Sequence, residues 1–269
     1  MRLPINRFKR DLLSGKPSCG LWMGLPDGTC GEICAGAGFD WLLIDGEHAP
    51  FDLQRILTHL QVIAAYDIPV LVRPPHGETA LLKQLLDVGA QSLLIPMVDD
   101  AEDAARLVRA VRYPPDGNRG LGTSLTRAAR WNRVPEYLQR ASDEICLVVQ
   151  VETRLALENL ESIANVPGVD AVFIGPSDLS ASLGHLGEQD HPDVTEAIDR
   201  GLKTIRAAGK GAGVLALDPR LAARYVASGA NFVGVAVDTL LLADSAAKAA
   251  RRFRMPEEVT HYNKSSAGY

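Results

Sequence analysis

The chain has 269 residues, 46% hydrophobic and 23% charged, the balance of an ordinary soluble globular protein able to bury a core of its own. Its formal net charge of −5 argues against nucleic acid as a partner, because such partners call for a basic footprint. No apolar run reaches the roughly 18–20 residues that span a bilayer, and Met1-Arg2-Leu3-Pro4-Ile5-Asn6-Arg7 lacks the apolar segment of a signal peptide, so a cytoplasmic protein without membrane contact is expected.

Taken in chain order, eight short and nearly continuous apolar runs are candidate strands: 18–24, 39–45, 69–73, 92–98, 146–152, 169–175, 211–217 and 231–237. Runs of this kind, apolar without alternation, suit parallel strands covered on both faces. Helical patterns lie between them. Cys30 and Cys34 stand four apart in the first; together with Cys19 and Cys146 they lack Cys-x-x-Cys spacing and read as buried apolar thiols. In the second, Leu53, Ile56, Leu57, Leu60 and Ile63 share one face. In the third, Leu81, Leu82, Leu85 and Leu86 precede Gly89, a C-terminal stop. Asp99 or Asp100 caps a stretch reaching Arg112, and Thr153, Asp218 and Asp238 stand where later helices start. Two connections, 113–138 and 176–192, exceed what a compact fold needs, and long loops of this kind are often functional. Strand and helix alternating eight times predicts a single (β/α)8 TIM barrel over residues 1–255, followed by a polar tail at 256–269. A doubly wound open sheet is the alternative; no Gly-x-Gly-x-x-Gly follows the first strand to favour it.

In a barrel, chemistry sits at the C-terminal ends of the strands. The second candidate strand runs into Asp45-Gly46-Glu47-His48, the third ends in Arg73-Pro74, the fifth in Gln150-Val151-Glu152, and the sixth runs into Gly175-Pro176-Ser177-Asp178. Each has a plainer reading: Asp45 or Asp178 as a cap, His48 as a structural histidine, Arg73 as an ion-pair partner. Four ionisable strand ends on one rim favour a site. Glu152 and Asp178 offer hard oxygen ligands for Mg²⁺, Mn²⁺ or Co²⁺, leaving room for a small 2-oxo acid to chelate. Such an ion acts as a Lewis acid on the keto oxygen, Arg73 adds a permanently charged donor, and His48 is a base of suitable range. That ensemble suits proton transfer and aldol cleavage. None of the seven lysines ends a strand, which argues against an imine mechanism, and the last two rim loops lack a Gly-rich phosphate turn. Trp22 and Leu215, ending the first and seventh strands, are read as walls of an aldehyde pocket or, alternatively, as core.

The motifs Gly38-Phe39-Asp40-Trp41-Leu42-Leu43-Ile44-Asp45-Gly46-Glu47-His48, Val72-Arg73-Pro74, Lys83-Gln84-Leu85-Leu86-Asp87, Gln150-Val151-Glu152-Thr153 and Phe173-Ile174-Gly175-Pro176-Ser177-Asp178-Leu179-Ser180 together resemble the metal-dependent class II pyruvate aldolases. That family is typified by 4-hydroxy-2-oxoheptanedioate aldolase, with 2-dehydro-3-deoxyglucarate aldolase a close relative. The resemblance spans roughly residues 8 to 254. It implies Glu152 and Asp178 as metal ligands, Arg73 at the enolate, and His48 as base, directly or through water. It further implies Asp87 supplied by a neighbouring subunit to orient the histidine, with Asp45 supporting that region. Gln150 would contact the bound ligand, and N–H groups near Ser177 and Asp178 would hold the pyruvate carboxylate. The implied assembly is a homohexamer whose last helix is exchanged between barrels. The stretch Arg127-Ala128-Ala129-Arg130-Trp131-Asn132-Arg133 looks like the heptanedioate enzyme, with basic residues near the mouth meeting a distal carboxylate. Leu183-Gly184-His185-Leu186-Gly187 and Ser177 look more like the glucarate enzyme. The heptanedioate activity is the favoured expectation; a lyase of CoA thioesters and a non-catalytic oligomeric barrel are the other readings.

Overall fold

A computed structural model describes residues 1–254. Eight parallel strands close into one barrel in sequence order: β1 (Ser18–Met23), β2 (Trp41–Asp45), β3 (Val70–Arg73), β4 (Ser92–Ile95), β5 (Cys146–Val151), β6 (Ala171–Ile174), β7 (Gly211–Leu215) and β8 (Phe232–Val237). β1 closes on β8 with a register shift between Gly20 and Leu21. The TIM barrel expected from the alternating runs is therefore what forms, and the open sheet is excluded. All eight candidate strands are present, but β4 stops three residues early. Pro96 has no N–H for the ladder and Met97 adopts φ 56°, so the apolar residues beyond Ile95 belong to the rim.

Between the strands lie α2 (Gly28–Ala35), α3 (Leu53–Val62), α4 (Thr79–Val88), α5 (Ala101–Ala110), α6 (Tyr137–Arg140), α7 (Arg154–Glu158), α8 (Leu160–Ala164), α9 (Pro176–Leu183), α10 (Pro192–Ala207) and α11 (Pro219–Ala227). Gly89 ends α4 in the left-handed conformation, and Asp100, Thr153 and Asp218 accept first-turn N–H bonds as N-caps. Asp238 does more than cap. It begins the last helix, α12 (Asp238–Arg254), and its buried carboxylate also accepts from Gly24 and Leu25, tying β8 to the end of β1. The connection 176–192, expected as a long loop, begins with α9. Pro176 at its first position, Asp178 in its first turn and a left-handed Gly184 at its end are ordinary helix signals that the Gly/His-rich remainder obscured. Cys34 and Cys146 are buried as expected, whereas Cys19, at the start of β1, and Cys30, in α2, are only half-buried.

The core has two layers. Outward-facing strand residues such as Leu42, Ile44, Val72, Leu93 and Val149 pack against the helices. Inward-facing residues fill the barrel, where Trp22, Trp41, Phe173 and Phe232 meet at ring-centroid distances of 5.4–6.3 Å. One further helix, α1 (Arg7–Ser14), closes the N-terminal end: Phe8 packs edge-on against Trp41 and Phe232. A filled floor leaves the C-terminal rim as the open end. From Thr239 onward every described residue of α12 is exposed, including Leu240, Leu241, Leu242 and Phe253. No helix among the described residues is long and apolar enough to cross a membrane. The predicted tail at 256–269 lies outside the described residues.

Candidate active site

β2 and β3 are paired in register so that Asp45 stands beside Arg73 at the rim. Both are buried. Arg73 donates from Nε to Asp45 Oδ1 at 2.9 Å and from Nη2 to Oδ2 at 2.7 Å, a side-on bidentate pair. Asp45 Oδ1 also accepts the backbone N–H groups of Glu47 at 3.0 Å and His48 at 3.4 Å. Burial pushes the Asp45 carboxyl up, but hydrogen bonds and charge from Arg73, aided by the two N–H groups, outweigh it and hold Asp45 below its usual range. Asp45 is thus both the turn cap and the ion-pair partner that the sequence allowed. The Arg73 guanidinium also lies 5.3 Å from the centre of the Trp22 ring.

Across the mouth, Glu152 follows β5 and is almost wholly buried. Met97 donates its backbone N–H to Oε1 at 2.9 Å, which is what the positive φ at this non-glycine residue accomplishes. Gln150, buried on the same strand, donates its Nε2 to Oε2. Gly175, ending β6, makes the space: a Cβ there would stand 2.4 Å from Oε2 and 3.1 Å from Gln150 Nε2. Burial raises the Glu152 carboxyl; the Gln150 and Met97 bonds lower it, and the charges of Asp178 and Glu47 raise it again. The net shift is upward. Asp178, in the first turn of α9, is exposed and makes no side-chain hydrogen bond among the described residues. Several carboxylates repelling one another around a buried one constitute an electrostatic demand for a cation. Hard oxygens with Gln150 Oε1 left without a partner nearby fit a divalent ion carrying an oxygen-rich ligand.

His48 sits at the same rim, exposed, with Nε2 3.8 Å from Glu47 Oε2. Ser177 is exposed beside Asp178, and its Oγ accepts from Gln189 at 2.8 Å. Pro176 has no N–H, so the Ser177 and Asp178 amides head the free N-terminus of α9, where an anion is favoured. Trp22 is mostly a core residue, stacked among the barrel aromatics, with one face toward Arg73. Leu215 is half-buried and packs with Trp22 over Gly234.

One residue and one stretch named above lie away from this rim. Asp87 lies near the C-terminal end of α4, at the opposite end of the barrel from His48, where Oδ1 accepts from buried Arg119 at 3.2 Å. The basic stretch after Arg127, expected near the mouth, is also at that far end. Arg127 donates to the carbonyls of Val88 and Leu60, capping the C-termini of α4 and α3, and Ala128 donates its N–H to the Asp87 carbonyl. That expectation is corrected: helices return antiparallel to strands, so a loop bonded to helix C-termini cannot reach its own barrel's mouth. A cavity of about 300 Å³, lined by Arg119, Arg127, Arg130 and Tyr137, also opens there and holds none of the rim residues. Another cluster, His185, His191 and Asp193, is occupied within the fold: the rings stack at 3.6 Å, and Asp193 donates its N–H to His191 Nδ1.

Glu47, Met97 and Gly175 shape this site without a role having been expected of them. Glu47 belongs to the Asp45-Gly46-Glu47-His48 turn, and its position after a rim strand was a usable signal. Nothing local marks Met97 or Gly175, whose importance is a matter of spatial approach.

A sequence model of the family described as HpcH/HpaI aldolase/citrate lyase matches residues 18–245. The chain is 61% identical over 249 residues to a hydroxypyruvate/pyruvate aldolase of Deinococcus radiodurans, covering 93% of this chain and 90% of that protein. It is 54% identical over 248 residues to a 4-hydroxy-2-oxo-heptane-1,7-dioate aldolase of Escherichia coli, covering 92% and 95%. A crystal structure of an HpcH/HpaI aldolase/citrate lyase family protein from Burkholderia cenocepacia superposes with TM-score 0.88 at 39% identity, covering 93% and 99%.

Proposed function

The chain belongs to the HpcH/HpaI aldolase/citrate lyase family and is a carbon–carbon lyase, and from that premise we propose that it is a metal-dependent aldolase cleaving 4-hydroxy-2-oxoheptanedioate reversibly to pyruvate and succinate semialdehyde. The observation that carries this reading is Glu152, a buried carboxylate presented by three neighbours toward Asp178, with a bracketed guanidinium at the same rim. A divalent ion such as Mg²⁺, Mn²⁺ or Co²⁺, held by Glu152 and Asp178, supplies Lewis-acid polarisation of the 2-oxo group. The substrate carboxylate is held at the Ser177 and Asp178 amides, and Gln150 orients the 2-oxo acid. In cleavage, His48 accepts the proton of the C4 hydroxyl as the C3–C4 bond breaks and the aldehyde departs. The electron pair passes into the pyruvate enolate, whose oxygen is stabilised by Arg73. Return of the proton from His48 to C3 completes pyruvate. Trp22 and Leu215 bound the aldehyde side.

The catalytic unit is a homo-oligomer, expected as a hexamer. Support comes from α12, whose apolar residues find no cover on their own barrel, as an exchanged helix would leave them, and from Asp87, which cannot reach His48 of its own chain. Pyruvate release across a panel of 4-hydroxy-2-oxo acids, with and without chelator, tests the function. Chelation abolishes release and Mn²⁺, Co²⁺ or Mg²⁺ restores it; borohydride trapping of a pyruvate–enzyme adduct would overturn the reading. The identity to the Deinococcus protein favours a second reading, with hydroxypyruvate as an alternative donor. Comparing kcat/KM for pyruvate and hydroxypyruvate against one aldehyde decides it.

A further inference from the structure

We propose that Glu47 is a positioning residue of this reaction, its Oε2 bridging the Arg73 guanidinium and the His48 imidazole so that the enolate-stabilising group and the base are held relative to one another. This rests on the aldolase reading of the rim and names a residue that reading does not use.

The backbone delivers Glu47 to this place. Gly46 donates its N–H to the Arg73 carbonyl at 2.7 Å, and a Cβ on Gly46 would stand 2.8 Å from that same oxygen. Only glycine lets the turn after β2 lie against the end of β3. Asp45 then fixes the next two amides through its Oδ1. The Glu47 side chain therefore leaves a pinned turn on the Arg73 side.

Arg73 does not need a second carboxylate for its burial, since Asp45 already takes Nε and Nη2. Glu47 Oε2 adds the third nitrogen, standing 2.9 Å from Nη1, while Trp22 lies against one face. All three nitrogens and a face are thereby held, which leaves the guanidinium no rotation about its own axis. The same oxygen stands 3.8 Å from His48 Nε2. Although buried, it makes no directed hydrogen bond, because the Nη1 contact is a charge contact without hydrogen-bond geometry. A dry acceptor short of a donor is unfavourable for the fold. The donor that would satisfy it is the imidazole N–H of His48, which gains that proton whenever the base has been used.

The surrounding charge points the same way. Glu47 feels the charges of Arg73 and His48 and, against them, those of Asp45, Asp178 and Glu152. Burial, with Asp45 and Asp178, outweighs the pull of Arg73 and His48 and keeps the Glu47 carboxyl above its ordinary range.

The test uses Glu47→Gln, which keeps shape and removes charge, and Glu47→Asp, which keeps charge on a shorter arm, in the metal-loaded full chain. Readouts are aldol cleavage, deuterium exchange at the pyruvate methyl group, the pH profile and the thermal midpoint. Glu47→Gln is expected to lower kcat and methyl exchange together by about 10–100-fold, the usual loss when an orienting partner is removed, with KM for the 2-oxo acid within about threefold. The acid limb of its pH–rate profile moves to lower pH, its thermal midpoint is unchanged or higher, and Glu47→Asp recovers part of the rate. Rates within twofold of wild type with an unmoved acid limb overturn the proposal. So does lost activity with a lowered midpoint, which would make Glu47 structural. Wild-type exchange separates the two readings: its absence overturns the aldolase assignment and this role together, whereas equal exchange in wild type and Glu47→Gln overturns the role of Glu47 alone.

Discussion

Replacing Gly175 by alanine probes Glu152, the proposed metal ligand, without touching it. The added Cβ would stand 2.4 Å from Glu152 Oε2, whereas non-bonded heavy atoms settle at roughly 3.5 Å, so about 1 Å must be found. The methyl group cannot retreat, because Gln150 Nε2 and Glu152 Cβ each lie 3.1 Å away. The carboxylate moves instead, giving up its alignment with Gln150 and the Met97 amide. A misplacement of about 1 Å at a reacting centre costs on the order of 10²-fold in rate. The backbone itself tolerates the change: φ −88° and ψ 102° are open to any residue, and alanine in place of glycine at this helix N-cap costs at most about 1 kcal/mol. The expected outcome is a variant that melts within a few degrees of wild type, binds Mn²⁺ at least tenfold more weakly by calorimetry, and cleaves substrate about 10²-fold more slowly. Wild-type Mn²⁺ affinity and turnover together would refute the argument, since Glu152 Oε2 would then not be in use.

Arg73→Ala should lower kcat by about 10²–10³-fold, the usual loss with a transition-state donor, and pyruvate methyl exchange should fall in parallel. Exchange at wild-type rate with cleavage abolished would assign Arg73 to the aldehyde instead. Asp45→Asn tests the pH sign. A carboxyl held below its ordinary value stabilises the fold fully above that value, near pH 4, and the contribution disappears as pH falls through the folded value. The stability gap between wild type and variant, about 1.5–3 kcal/mol near neutrality for charge-assisted bonds, should therefore close on acidification in urea titrations; a gap independent of pH contradicts the ion pair. His48→Ala and Asp87→Ala chains should each be nearly inactive alone and regain partial activity when unfolded and reassembled together. Mixed oligomers seen by native mass spectrometry without recovered activity would confine Asp87 to its bond with Arg119.

The barrel was readable from the chain because parallel strands covered on both faces need uninterrupted apolar runs, and eight such runs alternate with helical stripes. The rim was readable for the same reason: an ionisable residue ending an apolar strand, such as Glu152 or Arg73, has few places to be except the open end. Helix boundaries with a local cap, at Asp100, Thr153 and Asp218, were legible too, since the side chain that makes the cap lies within three residues of the amide it serves. Tertiary structure alone decided the rest. That Arg73 is bracketed by Asp45 and Glu47 depends on the pairing of β2 with β3, and that Gly175 makes room for Glu152 depends on β5 lying beside β6. The basic stretch around Arg127 was expected at the mouth and lies at the far end, because its direction is set by carbonyls of helices that precede it by 39 and 67 residues. Sequence patterns report which neighbours a residue has within a turn or a strand; which distant backbone approaches it is settled only when the barrel closes.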